Sequence, residues 1–225
     1  MNTGFTKGRR LRRLALVAGV PLALSAGLIA ASPSMAFAST TGTAGISAGT
    51  LAMTPPSSLS WSTTLNGADQ NLVDPTAADQ GFQVNDSTGS GAGWHVTAAA
   101  TTFTSTSASG TAAYGATLPT NSFSVTGSVT SNVATTAPSV ACVSGSTCVV
   151  PTPSTSVVYP VAITTAASSP VAATIYSAEA SSGMGNIQLG GSTATDPVGY
   201  WLGVPADTLA ATYASTITIN VVSGP

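Results

Sequence analysis

Residues 213–222, Tyr213-Ala214-Ser215-Thr216-Ile217-Thr218-Ile219-Asn220-Val221-Val222, decide the fold class of this chain. Side chains at the odd positions are mostly apolar, and those at the even positions are mostly small or polar. Successive side chains of a strand point to opposite faces of a sheet, so this period of two predicts a strand with one face against a core. We expect Tyr213 to pack at a sandwich corner and to donate its hydroxyl to a backbone group.

Short β-branched runs separated by turn residues recur through the rest of the chain. After residue 39 no stretch has a convincing 3.6-residue period, and helix-forming residues are scarce. This pattern predicts an all-β fold, an antiparallel β-sandwich of short strands, with a barrel as the alternative. Pro160 confines its strand to a sheet edge or a bulge. The predicted strands are residues 59–65, 81–85, 94–103, 122–129, 131–136, 157–164, 172–177, 186–189, 200–204 and 212–222.

The first 38 residues have the three-part layout of a secretory signal peptide. All five basic residues lie between Lys7 and Arg13, an apolar run follows, and Ala36-Phe37-Ala38 is a small-x-small cleavage signal. We therefore expect a secreted chain that begins at Ser39. A retained membrane anchor is the alternative, but Pro21 interrupts the run, which is near the lower length limit for a span.

The same reading divides the chain into a signal peptide (1–38), a flexible leader (39–57) and a folded domain (58–225). The leader is rich in Thr, Gly, Ser and Ala and ends in Pro55-Pro56. The arginine pairs Arg9-Arg10 and Arg12-Arg13 are compatible with a twin-arginine export signal, so the sequence does not decide between the general and the twin-arginine export route.

The exported chain would keep seven acidic side chains and no lysine or arginine. Nucleic-acid binding depends on Lys and Arg that neutralise phosphates, so nucleic acid is excluded as a partner. Phosphate clamps and lysine Schiff bases are excluded for the same reason, as is attraction to anionic lipid headgroups. After cleavage we expect no membrane association.

The two cysteines, Cys142 and Cys148, stand close together in the segment CVSGSTC. In an exported protein a close pair of this kind is most simply a disulfide, and Gly145 allows the turn between them. A redox-active or metal-binding pair is the alternative, but no His, Cys or Asp lies nearby in sequence to complete a metal site.

Three segments stand in an order that resembles the WxL domain of Gram-positive surface proteins. They are DSTGSGAGWHVTA (residues 86–98), GMGNIQL (183–189) and LGVPADTLAATYASTITINVVSGP (202–225). The first family tripeptide is Trp94-His95-Val96 here. The second is Ile219-Asn220-Val221, so its tryptophan is replaced, as in a divergent member.

The resemblance implies a non-enzymatic domain that attaches non-covalently to the cell wall. The implied partner is wall glycan, such as peptidoglycan, or another surface protein. Trp61, Trp94 and Trp201 are candidates for stacking on a sugar, and Val96, in the first tripeptide with Trp94, is a further candidate for ligand contact. An indole face covers the apolar face of a sugar, although tryptophans in a sandwich are more often packed in the core. Because Tyr200 and Trp201 are adjacent, we expect one of them to face solvent.

Catalytic, metal and cofactor sites have little support in the sequence. His95 is the only histidine, and no Gly-x-Ser-x-Gly elbow precedes a predicted helix. Most of the acidic residues stand in turn contexts, where carboxylates cap backbone groups. We therefore predict no catalytic residue, no metal and no cofactor. An enzyme acting on polysaccharide ranks below a structural subunit that self-assembles through β-strand edges, which is the main alternative function.

Overall fold

The regular secondary structure of the folded part consists almost entirely of short strands. The computed structural model describes residues 42–152 and 154–225, and residues 45–225 form one unit. The predicted signal peptide lies outside the described residues. Apart from the strands, the described residues contain one 3-10 helix, Ala77–Asp79. The strands are β1 (Leu51–Thr54), β2 (Gln70–Val73), β3 (Gly81–Asp86), β4 (Trp94–Ala100), β5 (Thr104–Ser105), β6 (Phe123–Thr126), β7 (Val140–Cys142), β8 (Val161–Ile163), β9 (Ala173–Ala178), β10 (Gly185–Gly190), β11 (Gly199–Val204), β12 (Tyr213–Ala214) and β13 (Ile217–Ser223).

These strands form three larger sheets and one two-stranded ribbon. The sheet orders are β1-β3-β10-β7, β2-β11-β6-β8 and β13-β4-β9, and the ribbon pairs β12 with β5. Strand neighbours in all four are antiparallel. The sheets pack over one shared apolar core, so the predicted all-β sandwich is confirmed.

The core takes alternate side chains from several strands. Trp94, Val96, Ala98 and Ala100 share the predicted inner face of β4, and each is fully buried. Phe82 and Val84 of β3 are buried in the same way. From Ile217 to Val222 in β13 the odd positions are half-buried and the even positions exposed, which confirms the alternation seen in the sequence.

Most of the predicted strands are present with shifted ends. Residues 81–85, 172–177, 186–189 and 200–204 lie in β3, β9, β10 and β11. The segment 157–164 contributes only Val161–Ile163, and this strand is at the edge of its sheet, as Pro160 predicted.

Two predicted strands are wrong. Residues 59–65 pair with no strand, because side chains hold this segment: Asp74 accepts a hydrogen bond from the backbone of Ser60, and Gln70 donates to the carbonyl of Thr64. Residues 131–136 are also not a strand. There the hydroxyl of Ser128 accepts the backbone N–H groups of Thr130 and Ser131, which turns the chain.

Four strands were not predicted: β1, β2, β5 and β7. The first falls within residues 39–57, which the sequence reading assigned to a flexible leader. Leu51–Thr54 pairs along its whole length with β3, and Leu51 and Met53 pack against the core. These four residues therefore belong to the folded domain rather than to a leader.

Candidate functional site

The residues expected to contact a ligand through the first tripeptide are in the core. Trp94 and Val96 are both 0% exposed, and the Trp94 indole N–H donates to the carbonyl of Gly183 at 2.8 Å. The Trp94 ring also packs on Tyr176, with ring centroids 5.8 Å apart. Side chains with no exposed surface cannot stack on a sugar, so the expectation of ligand contact is corrected for both.

Trp201 is also buried, and so is its neighbour Tyr200, so the expectation that one of them faces solvent is wrong. The reason is that β11 is a central strand whose two faces are both covered. The indole N–H of Trp201 lies within hydrogen-bond distance of the Thr126 hydroxyl (3.0 Å) and the Ser128 carbonyl (2.9 Å). Trp201 therefore fastens β11 to the end of β6 and is not positioned to touch a ligand.

The two tripeptides that resemble the family signature lie side by side. Val96 is the cross-strand partner of Val221, and the preceding residues of β13 continue along β4, so Ile219 opposes Ala98. The C-terminal strand is thereby fixed against the first motif. His95 is the middle residue of the first tripeptide, and its Nδ1 lies 2.5 Å from the carbonyl oxygen of Gly224. This contact attaches Gly224 to β4, so the role of His95 is structural.

The disulfide between Cys142 and Cys148 is present, as predicted. Cys142 ends β7, and the loop turns at Gly145, whose φ of +79° lies in the left-handed region that favours glycine. The backbone N–H of Ser146 donates to the carbonyl of Val143 and closes the turn. The bridge is therefore a clasp at one edge of a sheet.

A cleft of about 950 Å³ opens on the surface of the domain. Its two walls are the segments 59–65 and 208–217, which are far apart in sequence. The floor is apolar and consists of Leu72, Phe103, Leu118, Leu202 and Val204. A smaller pocket of about 310 Å³ adjoins it and shares Thr208, Leu209 and Tyr213.

The cleft combines aromatic and hydroxyl side chains without any charge. Trp61 packs edge-on against Phe103 and Phe123, and its indole N–H donates to the carbonyl of Tyr200 at 3.0 Å. Tyr213 stands on the opposite wall, and its hydroxyl donates to the carbonyl of Leu209 at 2.9 Å, which confirms its predicted corner role. Between these aromatics the described lining residues are serines, threonines and aliphatics, none of them charged.

The cleft walls carry backbone groups without partner strands. Within the described residues, segment 59–65 makes no backbone–backbone hydrogen bond. On the other wall, β12 and β13 each have one hydrogen-bonded neighbour, β5 and β4, so their second edges have no partner strand. Such edges pair readily with another extended chain. The sequence did not predict this cleft, because its two walls come from distant segments that meet only in the folded domain.

A pair of buried carboxylates lies behind the first wall. Asp74 and Asp79 are each 2% exposed. Asp74 accepts the backbone N–H groups of Ser60 and Thr76, which secures it as a turn cap. Burial, together with the nearby charge of Asp74, raises the pKa of Asp79 above its ordinary value, although a hydrogen bond from the backbone of Ser57 opposes the shift. The described residues offer no lysine or arginine to compensate the pair.

Replacing Asp79 with Asn should stabilise the protein at neutral pH. Because the folded-state pKa of Asp79 is raised, the folded state binds more protons than the unfolded state between the two pKa values, so its contribution to stability falls as pH rises through this window. Asp79→Asn removes that penalty. Thermal unfolding at pH 7 and pH 4 should show a higher Tm for the variant at pH 7 and a smaller difference at pH 4. The exposed Asp207→Asn is the matched control, and an unchanged or lower Tm for Asp79→Asn at pH 7 contradicts this account.

The described residues contain no group of three or more His, Cys, Asp or Glu placed to hold a metal ion. They also contain no helix both long and apolar enough to cross a membrane. The side chains that line the cleft offer hydrogen bonds and apolar contact.

The described domain is an antiparallel β-sandwich with an uncharged cleft lined by aromatic, hydroxyl and aliphatic side chains. The model of the WxL domain surface cell wall-binding family matches residues 55–225. This chain belongs to that family. Neither a curated protein nor a solved structure matches it.

Proposed function

We propose that this protein is a secreted, non-enzymatic domain that attaches non-covalently to the Gram-positive cell wall and that the cleft is its attachment site. The observation that carries the proposal is the cleft itself, an opening of about 950 Å³ with an apolar floor and uncharged walls, in a domain of a cell wall-binding family. Its occupant is a chain-like partner with an uncharged contact surface, either the glycan strand of peptidoglycan or a segment of another surface protein.

The lining supports an uncharged ligand on physical grounds. Trp61 and Tyr213 offer apolar rings, and hydroxyl side chains such as Ser62 and Thr212 offer hydrogen bonds. Both kinds of contact suit sugar rings and extended peptides alike. A phosphate-rich polymer does not suit the cleft, because no cationic side chain lines it and the described residues carry an excess of acidic groups.

Attachment should be almost independent of salt. Screening weakens charge–charge attraction, whereas apolar contact and hydrogen bonding between neutral groups respond little to ionic strength. We expect the fraction of exported chain (residues 39–225) that sediments with isolated walls to change by less than about twofold between low and high salt. A lysine-rich wall-binding protein is the salt-sensitive reference. A tenfold fall in sedimentation at high salt contradicts the proposal.

The same assay on walls stripped of protein separates the two partners. Retention on stripped walls assigns the cleft to peptidoglycan, and retention on intact walls alone assigns it to a surface protein. Absence of retention on both kinds of wall sinks the proposal.

The second candidate function is that of a structural subunit that assembles at the cell surface. It is favoured by the unpaired edge of β13 and by the extended segment 59–65, which lacks backbone–backbone partners among the described residues. Subunits that expose such edges can join by adding a strand from a neighbour.

A further inference from the structure

We propose that the cleft accepts residues 42–48 of a second copy of this chain as an added β-strand. The inference rests on the proposed role of the cleft as the binding site of an uncharged chain, and it names the partner: a polypeptide strand supplied by the protein itself.

The acceptor is the gap between the two walls of the cleft. One wall, segment 59–65, turns Leu59, Trp61 and Leu65 towards the core and leaves the residues between them exposed. The other wall includes β12 and the start of β13, each hydrogen-bonded on one edge only. An inserted strand would find backbone donors and acceptors at the walls and apolar side chains at the floor, which are the two requirements of strand addition.

The donor is the segment Gly42-Thr43-Ala44-Gly45-Ile46-Ser47-Ala48. Every one of these residues is exposed, and Ile46, at 95%, is the most exposed large apolar side chain among the described residues. In an extended conformation Ala44, Ile46 and Ala48 share one face, and Thr43, Gly45 and Ser47 share the other. The segment has no charge and no proline, so each residue can donate to a ladder hydrogen bond.

Donor and acceptor agree in chemistry. The described cleft lining is uncharged, so an uncharged strand enters without leaving a buried ion unpaired. Gly49 donates its N–H to the carbonyl of Ser87 at 2.8 Å, which anchors the base of the donor segment to its own domain.

A reciprocal exchange of this strand closes a pair, and a head-to-tail exchange joins copies in an open chain. In an open chain the terminal copy keeps an empty cleft. That copy remains free to take the wall partner assigned under the proposed function, and the two roles of the cleft are compatible.

Sedimentation velocity of the exported chain (residues 39–225) over a range of concentrations, without walls, tests the proposal. We expect concentration-dependent oligomers for the wild type and for Ser47→Asp, whose new carboxylate faces away from the cleft. Ile46→Asp places the same charge into the apolar floor and should weaken association by about tenfold or more. A wild type that stays monomeric, or an Ile46→Asp variant that associates like Ser47→Asp, overturns the proposal.

A complementation experiment makes the test independent of folding defects. Ala210 is exposed and lines the cleft, so Ala210→Trp should obstruct the acceptor while leaving the donor intact. Ile46→Asp and Ala210→Trp should each be monomeric alone and should form a one-to-one heterodimer when mixed, since one supplies a cleft and the other a strand. A mixture that remains monomeric contradicts the proposal.

The two proposals fail separately. Loss of oligomers in solution with normal wall retention refutes strand exchange and leaves the cleft as the wall site. Normal oligomers in solution without any wall retention support strand exchange and refute wall attachment.

Discussion

Replacing Trp94 with Ala should destabilise the protein by about 4 kcal/mol, the largest loss of stability that we expect from a single side chain. Trp94 is 0% exposed and packs on Tyr176. Its removal leaves a cavity and also leaves the carbonyl of Gly183 without its donor. Because the free energy of unfolding of a domain is only about 5–15 kcal/mol, the variant should lose a large part of it. The measurement is denaturant unfolding of the exported chain.

Trp94→Phe is the matched control for this prediction. It keeps most of the apolar ring and removes the indole N–H, so it should cost about 1–2 kcal/mol, mainly for the lost hydrogen bond to Gly183. In the wild type a larger residue would not fit at Gly183, since its φ is +71° and a Cβ there would lie 2.6 Å from the Trp94 Nε1. An Ala variant of normal stability that loses wall retention would show instead that Trp94 contacts the ligand.

This role explains how the family signature works in the present chain. The first motif supplies a core tryptophan, and the strand that carries the second motif lies beside it in register. The position of the second family tryptophan holds Ile219, which is half-buried and packs against the same core. The motif order therefore reports a shared fold, and the binding surface has to be sought elsewhere.

The sequence predicts strands well where one face is buried and the other exposed. β13 shows this, because its alternation survives in the half-buried side chains of Ile217, Ile219 and Val221. It predicts poorly where both faces are covered. Tyr200 and Trp201 lie on opposite faces of β11, yet both are buried, and no local pattern distinguishes that case.

The segment 59–65 shows a second limit of local reading. Its apolar side chains alternate in the sequence as those of a strand do, and Leu59, Trp61 and Leu65 indeed pack against the core. The segment does not pair as a strand because the side chains of Asp74 and Gln70 form hydrogen bonds with its backbone groups. The pairing state of an extended segment depends on such distant contacts, so the cleft was invisible before the fold was known.

Blocking the cleft should abolish wall attachment, which is the second large effect that we expect. Ala210→Trp inserts an indole at the wall of the cleft, where the ligand would contact Trp61 and Tyr213. Since Ala210 is exposed, the substitution should change stability by no more than about 0.5 kcal/mol. Retention by intact walls should fall by about tenfold or more, which corresponds to about 1.4 kcal/mol of binding free energy.

Ala162→Trp is the control for the introduced side chain. Ala162 is exposed on β8, at the opposite edge of the sheet from β2, and it does not line the cleft. Both variants place a tryptophan at an exposed alanine. A difference in their retention by walls therefore reports on the cleft and not on nonspecific adhesion of an added indole.

The most direct test of the account is therefore the sedimentation of wild type, Ala162→Trp and Ala210→Trp with isolated, intact cell walls of the source bacterium. The account predicts that wild type and Ala162→Trp are retained equally and that Ala210→Trp stays in the supernatant. Equal retention of all three would contradict it and would place the attachment surface outside the cleft.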